Sequence, residues 1–109
     1  MEKVIYNLVF NRKKRLNAEG KALIQVEAYL NRQKKYFSTK IYVKPTQWDS
    51  KRKAVRNHPN MDELNQYIED YITYLVDKYT LEPLEILRET EEIGTPVEIK
   101  QDLSEYQNR

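Results

Sequence analysis

Apolar residues alternate with polar ones in three stretches of the first half of the chain, then recur every three or four residues in the second. Residues 4–10 set Val4, Tyr6, Leu8 and Phe10 on one side against Ile5, Asn7 and Val9. Residues 23–30 set Ile24, Val26, Ala28 and Leu30 against Leu23, Gln25, Glu27 and Tyr29, and residues 35–43 set Phe37, Thr39, Ile41 and Val43 against Tyr36, Ser38, Lys40 and Tyr42. A period of two is that of half-buried strands in an antiparallel sheet. Residues 11–20 form a polar loop with Gly20 as its permissive turn residue, and Asn31-Arg32-Gln33-Lys34 reads as a tight hairpin connection. A three-stranded meander follows.

Beyond Pro45 the period changes. Residues 46–57 hold Trp48 and the basic run Lys51-Arg52-Lys53, an irregular connection with one helical turn expected at residues 46–49. Asn60, just after Pro59, is placed to cap a helix, with Glu63 three residues on completing a capping box. From there Met61, Leu64, Ile68, Tyr71, Ile72, Leu75 and Tyr79 make one apolar stripe at helical spacing. Three strands alone cannot bury their apolar side, so this helix is expected to lie across it, with Trp48 plugging the open end. Residues 81–93 suggest a short second helix with Pro83 in its first turn. Residues 94–109 have no sustained period and read as a flexible linker or tail. The fold class predicted is α+β, a three-stranded antiparallel sheet packed on a C-terminal α-helix (βββα) with a short extra helix. The expected organisation is a domain over residues 1–80 and an acidic tail over 81–109.

Composition narrows the function. A chain of 109 residues with 33% charged and 39% hydrophobic residues supports one thin, two-layered core. The absence of cysteine excludes disulfides and thiolate metal sites and fits a reducing cytoplasm. No long apolar run follows Met1-Glu2-Lys3-Val4, so neither a signal peptide nor a membrane span is expected. His58 is the single histidine, and no nucleophile-base arrangement, Gly-rich phosphate loop or metal-ligand spacing can be drawn. An enzyme is not expected; nor is a cofactor, a bound metal or a small-molecule substrate.

Charge changes the picture most. The net of +2 conceals a sorting by position: residues 1–58 carry 15 Lys/Arg against 4 Asp/Glu, residues 59–109 carry 4 against 13. A basic half in which cations alternate with tyrosines and β-branched residues is the composition of a surface that meets a polyanion. Arg12, Lys13, Lys14 and Arg15 fall at one loop tip, Arg32, Lys34 and Lys35 at the next, and Lys40 on the outer side of the third strand. With a helix on the inner side, the outer face of Asn7, Gln25, Glu27, Tyr29, Tyr36, Ser38, Lys40 and Tyr42 is left free. A sheet of this width enters the roughly 12 Å major groove of duplex DNA as β-ribbon readers do. Rim cations would hold phosphates while Gln25, Tyr29 and Tyr36 point to base edges. Glu27 has two readings, accepting from a cytosine amino group or pairing with Lys40 across the sheet.

The run Tyr36-Phe37-Ser38-Thr39-Lys40-Ile41-Tyr42-Val43-Lys44-Pro45-Thr46-Gln47-Trp48-Asp49 resembles the amino-terminal arm-type DNA-binding domain of tyrosine recombinases, the integrases of phages and conjugative transposons. Those domains show F-S-T-G-I-x-V, a spacer, W-D, a basic stretch and a helix of N-x-x-L-x-x-I-x-x-x-I character, matched here in looser form by Asn60, Glu63-Leu64, Ile68 and Ile72. The likeness covers residues 3–79 and departs at Lys40, where the family usually has glycine. It implies binding to arm sites flanking a recombination core, through the sheet in the major groove, with other integrase subunits as partners and a bacterial, nucleoid-associated location. It also implies that the chemistry belongs to a separate carboxy-terminal domain, so none of these tyrosines is the nucleophile and residues 81–109 lead toward a core-binding domain. Two other readings stand beside it: a protein-interaction module using the acidic helix surface, and double-stranded RNA binding. The acidic residues from Glu82 to Glu105 either fold back on the basic face or form a solvated linker.

Overall fold

The computed structural model describes residues 3–88. Strands β1 (Ile5–Phe10), β2 (Ala22–Leu30) and β3 (Gln33–Val43) form an antiparallel sheet in the order β1-β2-β3. Helix α1 (Met61–Lys78) lies on one side of it. Pairing fixes the two faces. Leu8 lies opposite Val26 and Val26 opposite Phe37, an apolar row facing α1; Asn7 lies opposite Glu27 and Glu27 opposite Tyr36, a row facing away. The alternation in the sequence is therefore the alternation of the pleat.

One two-part core results. Val26, Ala28, Leu30 and Phe37 pack with Tyr71, Leu75 and Tyr79 at one end, while Ile24, Ile41 and Val43 pack with Leu64, Tyr67 and Ile68 at the other. Each fully buried leucine or isoleucine of α1 contributes about 1.5–3 kcal/mol by leaving water. Trp48 stacks on Phe10 with ring centroids 5.7 Å apart and closes the second end, as expected from its position.

Several local expectations are corrected. The β2–β3 connection is the two residues Asn31 and Arg32, both with positive φ (51° and 63°), so Gln33 and Lys34 already belong to β3. Two left-handed residues are what a tight hairpin needs to match the twist of its strands. The helical turn expected at residues 46–49 is a 3-10 turn at Pro45–Gln47, where Gln47 accepts from Lys44 N through its side-chain oxygen (2.9 Å). Trp48–Asp49 and Ala54–Val55 then pair as a small ribbon, β4 and β5, which short length hid from the pattern. Asn65 locks it to α1 by accepting from Val55 N (2.8 Å) and donating to Val55 O (3.0 Å).

The capping box at Asn60 and Glu63 does not form, since Asn60 makes no side-chain cap bond. His58 takes over: its Nδ1 accepts from Asn60 N (2.9 Å) and its carbonyl from Met61 N (3.1 Å). Met61 stays exposed, and Tyr67 is buried instead, its hydroxyl donating to Thr39 O at 2.9 Å. The second helix is a 3-10 helix, Pro83–Arg88, with Pro83 in its first turn. Its Ile86 is wholly buried, in the same cluster as Val26, Phe37 and Leu75. The remainder of the expected second helix, the tail over 94–109 and most of the acidic stretch proposed to fold back lie outside the described residues.

Candidate nucleic-acid interface

The side of the sheet turned away from α1 is built in cross-strand rows: Ile5, Tyr29 and Lys34; Asn7, Glu27 and Tyr36; Val9, Gln25 and Ser38. Two loops and a bulge bring cations to it.

The β1–β2 loop is shaped by two asparagines. Asn11, with φ 54°, turns the chain out of β1, and its side-chain oxygen accepts from Arg15 N (2.8 Å). Asn17 accepts from both Glu19 N (3.0 Å) and Lys21 N (2.9 Å) through its side chain. Asparagine serves both needs, since it tolerates the left-handed region and its amide imitates a backbone acceptor. Gly20, with φ 75°, finishes the return. The loop so held stands over the outer face and encloses a cleft of about 590 Å³ lined by Arg12, Lys13, Arg15 and Lys21 with Leu23 and Tyr42. No carboxylate lines it.

Arg12 crosses the centre of the face. Its Nε donates to Gln25 Oε1 at 3.2 Å, and its guanidinium carbon stands 4.0 Å from the Tyr36 ring centroid. Gln25 and Ser38 are consequently only 7% and 8% exposed, so the face is not free along its whole length as the sequence suggested. Glu27 meets Lys34 Nζ at 3.8 Å, which makes Lys34 its partner where Lys40 was anticipated. A loose ion pair at a half-open surface contributes little to stability, but it reduces the negative charge presented by the face.

Lys40 occupies a bulge. Pairing jumps from Leu23 opposite Tyr42 to Gln25 opposite Ser38, and Lys40 takes φ 66° between them. Ser38 Oγ accepts from Lys40 N (3.0 Å) and Thr39 Oγ1 accepts from Ile41 N (3.1 Å), so side chains replace the interrupted ladder. A left-handed φ at such a bulge is the conformation glycine adopts most readily, and here a lysine takes it.

Of the anticipated site residues, Arg12, Tyr29, Lys34, Tyr36 and Lys40 share the outer side, with Lys13, Lys14 and Arg15 exposed on the loop beside it and Arg32 exposed at the other turn. Asn7 is exposed there too, its side-chain oxygen accepting from Leu8 N at 3.0 Å. Lys35 is separated from them: it pairs with buried Ala28, in the register of the α1-facing row, because a strand sends successive residues to opposite faces. Lys21, missed as a contributor, was findable from its place next to Gly20, and it lines the cleft together with Tyr42, which the alternation of β3 had already put on the outer face. A second cationic turn also went unused. Asp49 Oδ1 accepts from Lys51 N (3.0 Å) and Arg52 N (3.1 Å), presenting Lys51, Arg52 and Lys53 to solvent. These backbone bonds, that from Arg52 foremost, hold the Asp49 carboxyl below the usual carboxylate range.

The opposite side of the molecule is acidic. Asp62, Glu69, Asp70 and Asp77 are exposed on the side of α1 away from its buried stripe of Leu64, Ile68, Tyr71 and Leu75. Catalytic chemistry finds no foothold in His58, whose pKa is pushed down by burial and by the nearby charge of Lys21 and whose Nδ1 is engaged by Asn60 N. Among the described residues no group of His, Asp or Glu is arranged to hold a metal ion, and no helix is long and apolar enough to cross a membrane.

The described residues thus form a small α+β domain with cations on the outer side of its sheet and carboxylates on the exposed side of its helix. The family model described as "Arm DNA-binding domain" matches residues 9–82, well over half of the chain, and the chain belongs to that family. It is thus a DNA-binding domain of integrase type, and such a domain performs no catalysis of its own. No curated protein and no solved structure matches it.

Proposed function

We propose that this domain binds double-stranded DNA by laying the outer face of β1–β3 in the major groove, at arm-type sites of a site-specific tyrosine recombinase of a mobile element. Cations on the loop carrying Lys13, Lys14 and Arg15, on the Arg32 turn and at Lys34 hold phosphates on either side of the groove. Side chains on the face between them meet base edges. The observation that carries this reading is the sorting of charge across the two layers: loop and sheet cations on one side, the carboxylates of α1 on the other. Such a dipolar domain is steered to a polyanion sheet-first, because the helix side is repelled. In the full recombinase, residues 81–109 lead toward a core-binding domain, other integrase subunits complete the assembly, and the complex acts on DNA in the bacterial cytoplasm.

Salt dependence tests the reading. With about six phosphate contacts, log K against log salt has a slope of about −5, from roughly −0.9 per contact. Reversing Lys13, Lys14 and Lys34 to Glu is expected to abolish duplex binding. Retained affinity in that variant, or a slope near zero, would turn attention to the acidic helix surface as a protein-binding side, and preference for an RNA duplex competitor would favour the RNA reading.

A further inference from the structure

We infer that the β4–β5 hairpin is a second phosphate-binding surface, which holds the DNA backbone just outside the stretch of groove filled by the sheet, on the side of the β1–β2 loop. The inference rests on the docking proposed above and adds a contact that the three-stranded sheet does not make.

The hairpin and its flanks are strongly cationic. Residues 44–58 contain five cations, Lys44, Lys51, Arg52, Lys53 and Arg56, against the single carboxylate of Asp49. All five are exposed. The carboxylate is directed at the backbone, accepting from Lys51 N (3.0 Å) and Arg52 N (3.1 Å). Among the described residues no ion pair engages the side chains of Lys51, Arg52 or Lys53.

The backbone beneath these cations is fixed to the fold. Trp48 and Val55 pair across the hairpin, and both are buried in the cluster that holds Leu64, Tyr67 and Ile68 of α1. Gln47 O accepts from Arg56 N (2.8 Å), and Asn65 of α1 bonds both backbone groups of Val55. Asp49 closes the turn from within, and Lys53 completes it with φ 55°. Cations carried on such a frame lose less freedom on binding than those of a loose loop.

Placement decides the partner. Phe10 lies opposite Ile24 and Ala22 opposite Val43, so β1 ends, β2 begins and β3 ends at one border of the sheet, with the Asn31 and Arg32 turn at the other. Stacking of Trp48 on Phe10 pins the hairpin to the first border, which also carries the β1–β2 loop. The charge of Lys21 on that loop reaches His58, two residues past Arg56. Loop and hairpin therefore make one positive rim, with the hairpin set back on the α1 side, where it meets the backbone that runs on past the loop. A duplex offers one negative charge per about 1.7 Å of its axis. The exposed carboxylates of α1 in a second copy of the chain would offer only surface ion pairs, which contribute little.

Two measurements on the 109-residue chain test this, with a duplex that extends beyond the sheet's site at both ends. In a salt titration the double variant Lys51→Ala, Arg52→Ala is expected to bind about tenfold more weakly, with a slope of log K against log salt shallower by about 1.8, from roughly −0.9 per contact. Lys53 is kept because of its left-handed φ. The second measurement locates the contact. The chain has no cysteine, so Lys14→Cys, Arg32→Cys and Arg52→Cys each give a single attachment point for a photoreactive aryl azide. Crosslinks from Arg52→Cys are expected outside the stretch reached from Lys14→Cys and Arg32→Cys, next to its Lys14 end.

The inference is overturned if the double variant keeps the wild-type slope, or if Arg52→Cys crosslinks DNA within the stretch filled by the sheet. Crosslinking of a second copy in place of DNA would also overturn it, and would assign the hairpin to the acidic side of α1. Groove docking survives each of these results if reversing Lys13, Lys14 and Lys34 to Glu abolishes binding. Should that reversal leave affinity intact while Arg52→Cys still crosslinks the duplex, groove docking falls and the hairpin contact stands.

Discussion

The hydroxyl of Thr39 donates to the carbonyl of Ile24 at 2.7 Å, across the point where the β2–β3 ladder breaks. Both residues are wholly buried, so an unfilled carbonyl there would cost about 1–3 kcal/mol. Thr39 thus makes the bulge tolerable on its inner side, while on the outer side the same irregularity lifts Lys40 clear of the sheet. A structural irregularity and an exposed cation on the outer side of the sheet are in this way produced by two consecutive residues.

Lys40 carries the cost of that bulge, since φ 66° is unfavourable for any residue with a Cβ. Lys40→Gly is expected to raise thermal stability by up to about 1 kcal/mol. It should also weaken duplex binding and make the salt slope shallower by about 0.9. Denaturation and salt titrations on one variant check both halves, and a variant that gained stability with an unchanged slope would remove Lys40 from the interface.

Neighbours in sequence should separate by face. Lys34→Ala removes a cation from the outer side and leaves Glu27 unpaired there, so a loss of several-fold or more in duplex affinity is expected. Lys35→Ala, in the α1-facing register opposite Ala28, is expected to change affinity less than twofold. Equal losses measured by fluorescence anisotropy would mean that DNA does not distinguish the two sides of β3.

Ile86 tests where the folded unit ends. Its side chain is fully buried between the sheet and the end of α1, so Ile86→Ala is expected to destabilise the domain by about 2–5 kcal/mol in urea denaturation. Ending the chain after Thr80 should do at least as much. An unchanged midpoint in either variant would make the 3-10 helix an appendage.

Much of this was legible in the pattern, and the failures have identifiable causes. Strand faces and the α1 stripe followed from periodicity because one side of each is buried and no shift of register is tolerated. Lys35 was grouped with Lys34 because the hairpin was drawn two residues too long, and the true turn needs left-handed backbone at Asn31 and Arg32, neither of them glycine. The Asn60 box failed because His58 already satisfies the first amides. Arg12 was read as a rim cation since nothing in a linear sequence says that a loop residue folds back over Gln25.

Alkaline pH provides a separate check on the packing. Burial raises the Tyr6 phenol to about 12, and burial also pushes up Tyr71, whose hydroxyl has no hydrogen-bond partner among the described residues. Both are neutral in the folded state, so the stability linked to them is intact below the ordinary phenol pKa of about 10 and declines as pH rises through about 12. Tyr6→Phe is expected to flatten that decline while losing the bond to Leu75 O. Tyr71→Phe should cost nothing at neutral pH, since an unpartnered buried hydroxyl stabilises nothing. Denaturation curves between pH 8 and pH 12 decide, and a Tyr71→Phe variant weakened at pH 7 would contradict the packing described.

Backbone amide NMR during titration with a duplex tests the central claim most directly. The expected result is shifts concentrated on the β1–β2 loop, Tyr29, Lys34, Tyr36 and Lys40, with the exposed side of α1 at Asp62, Glu69, Asp70 and Asp77 unmoved. Shifts centred on that helix surface, with the sheet face silent, would contradict the account.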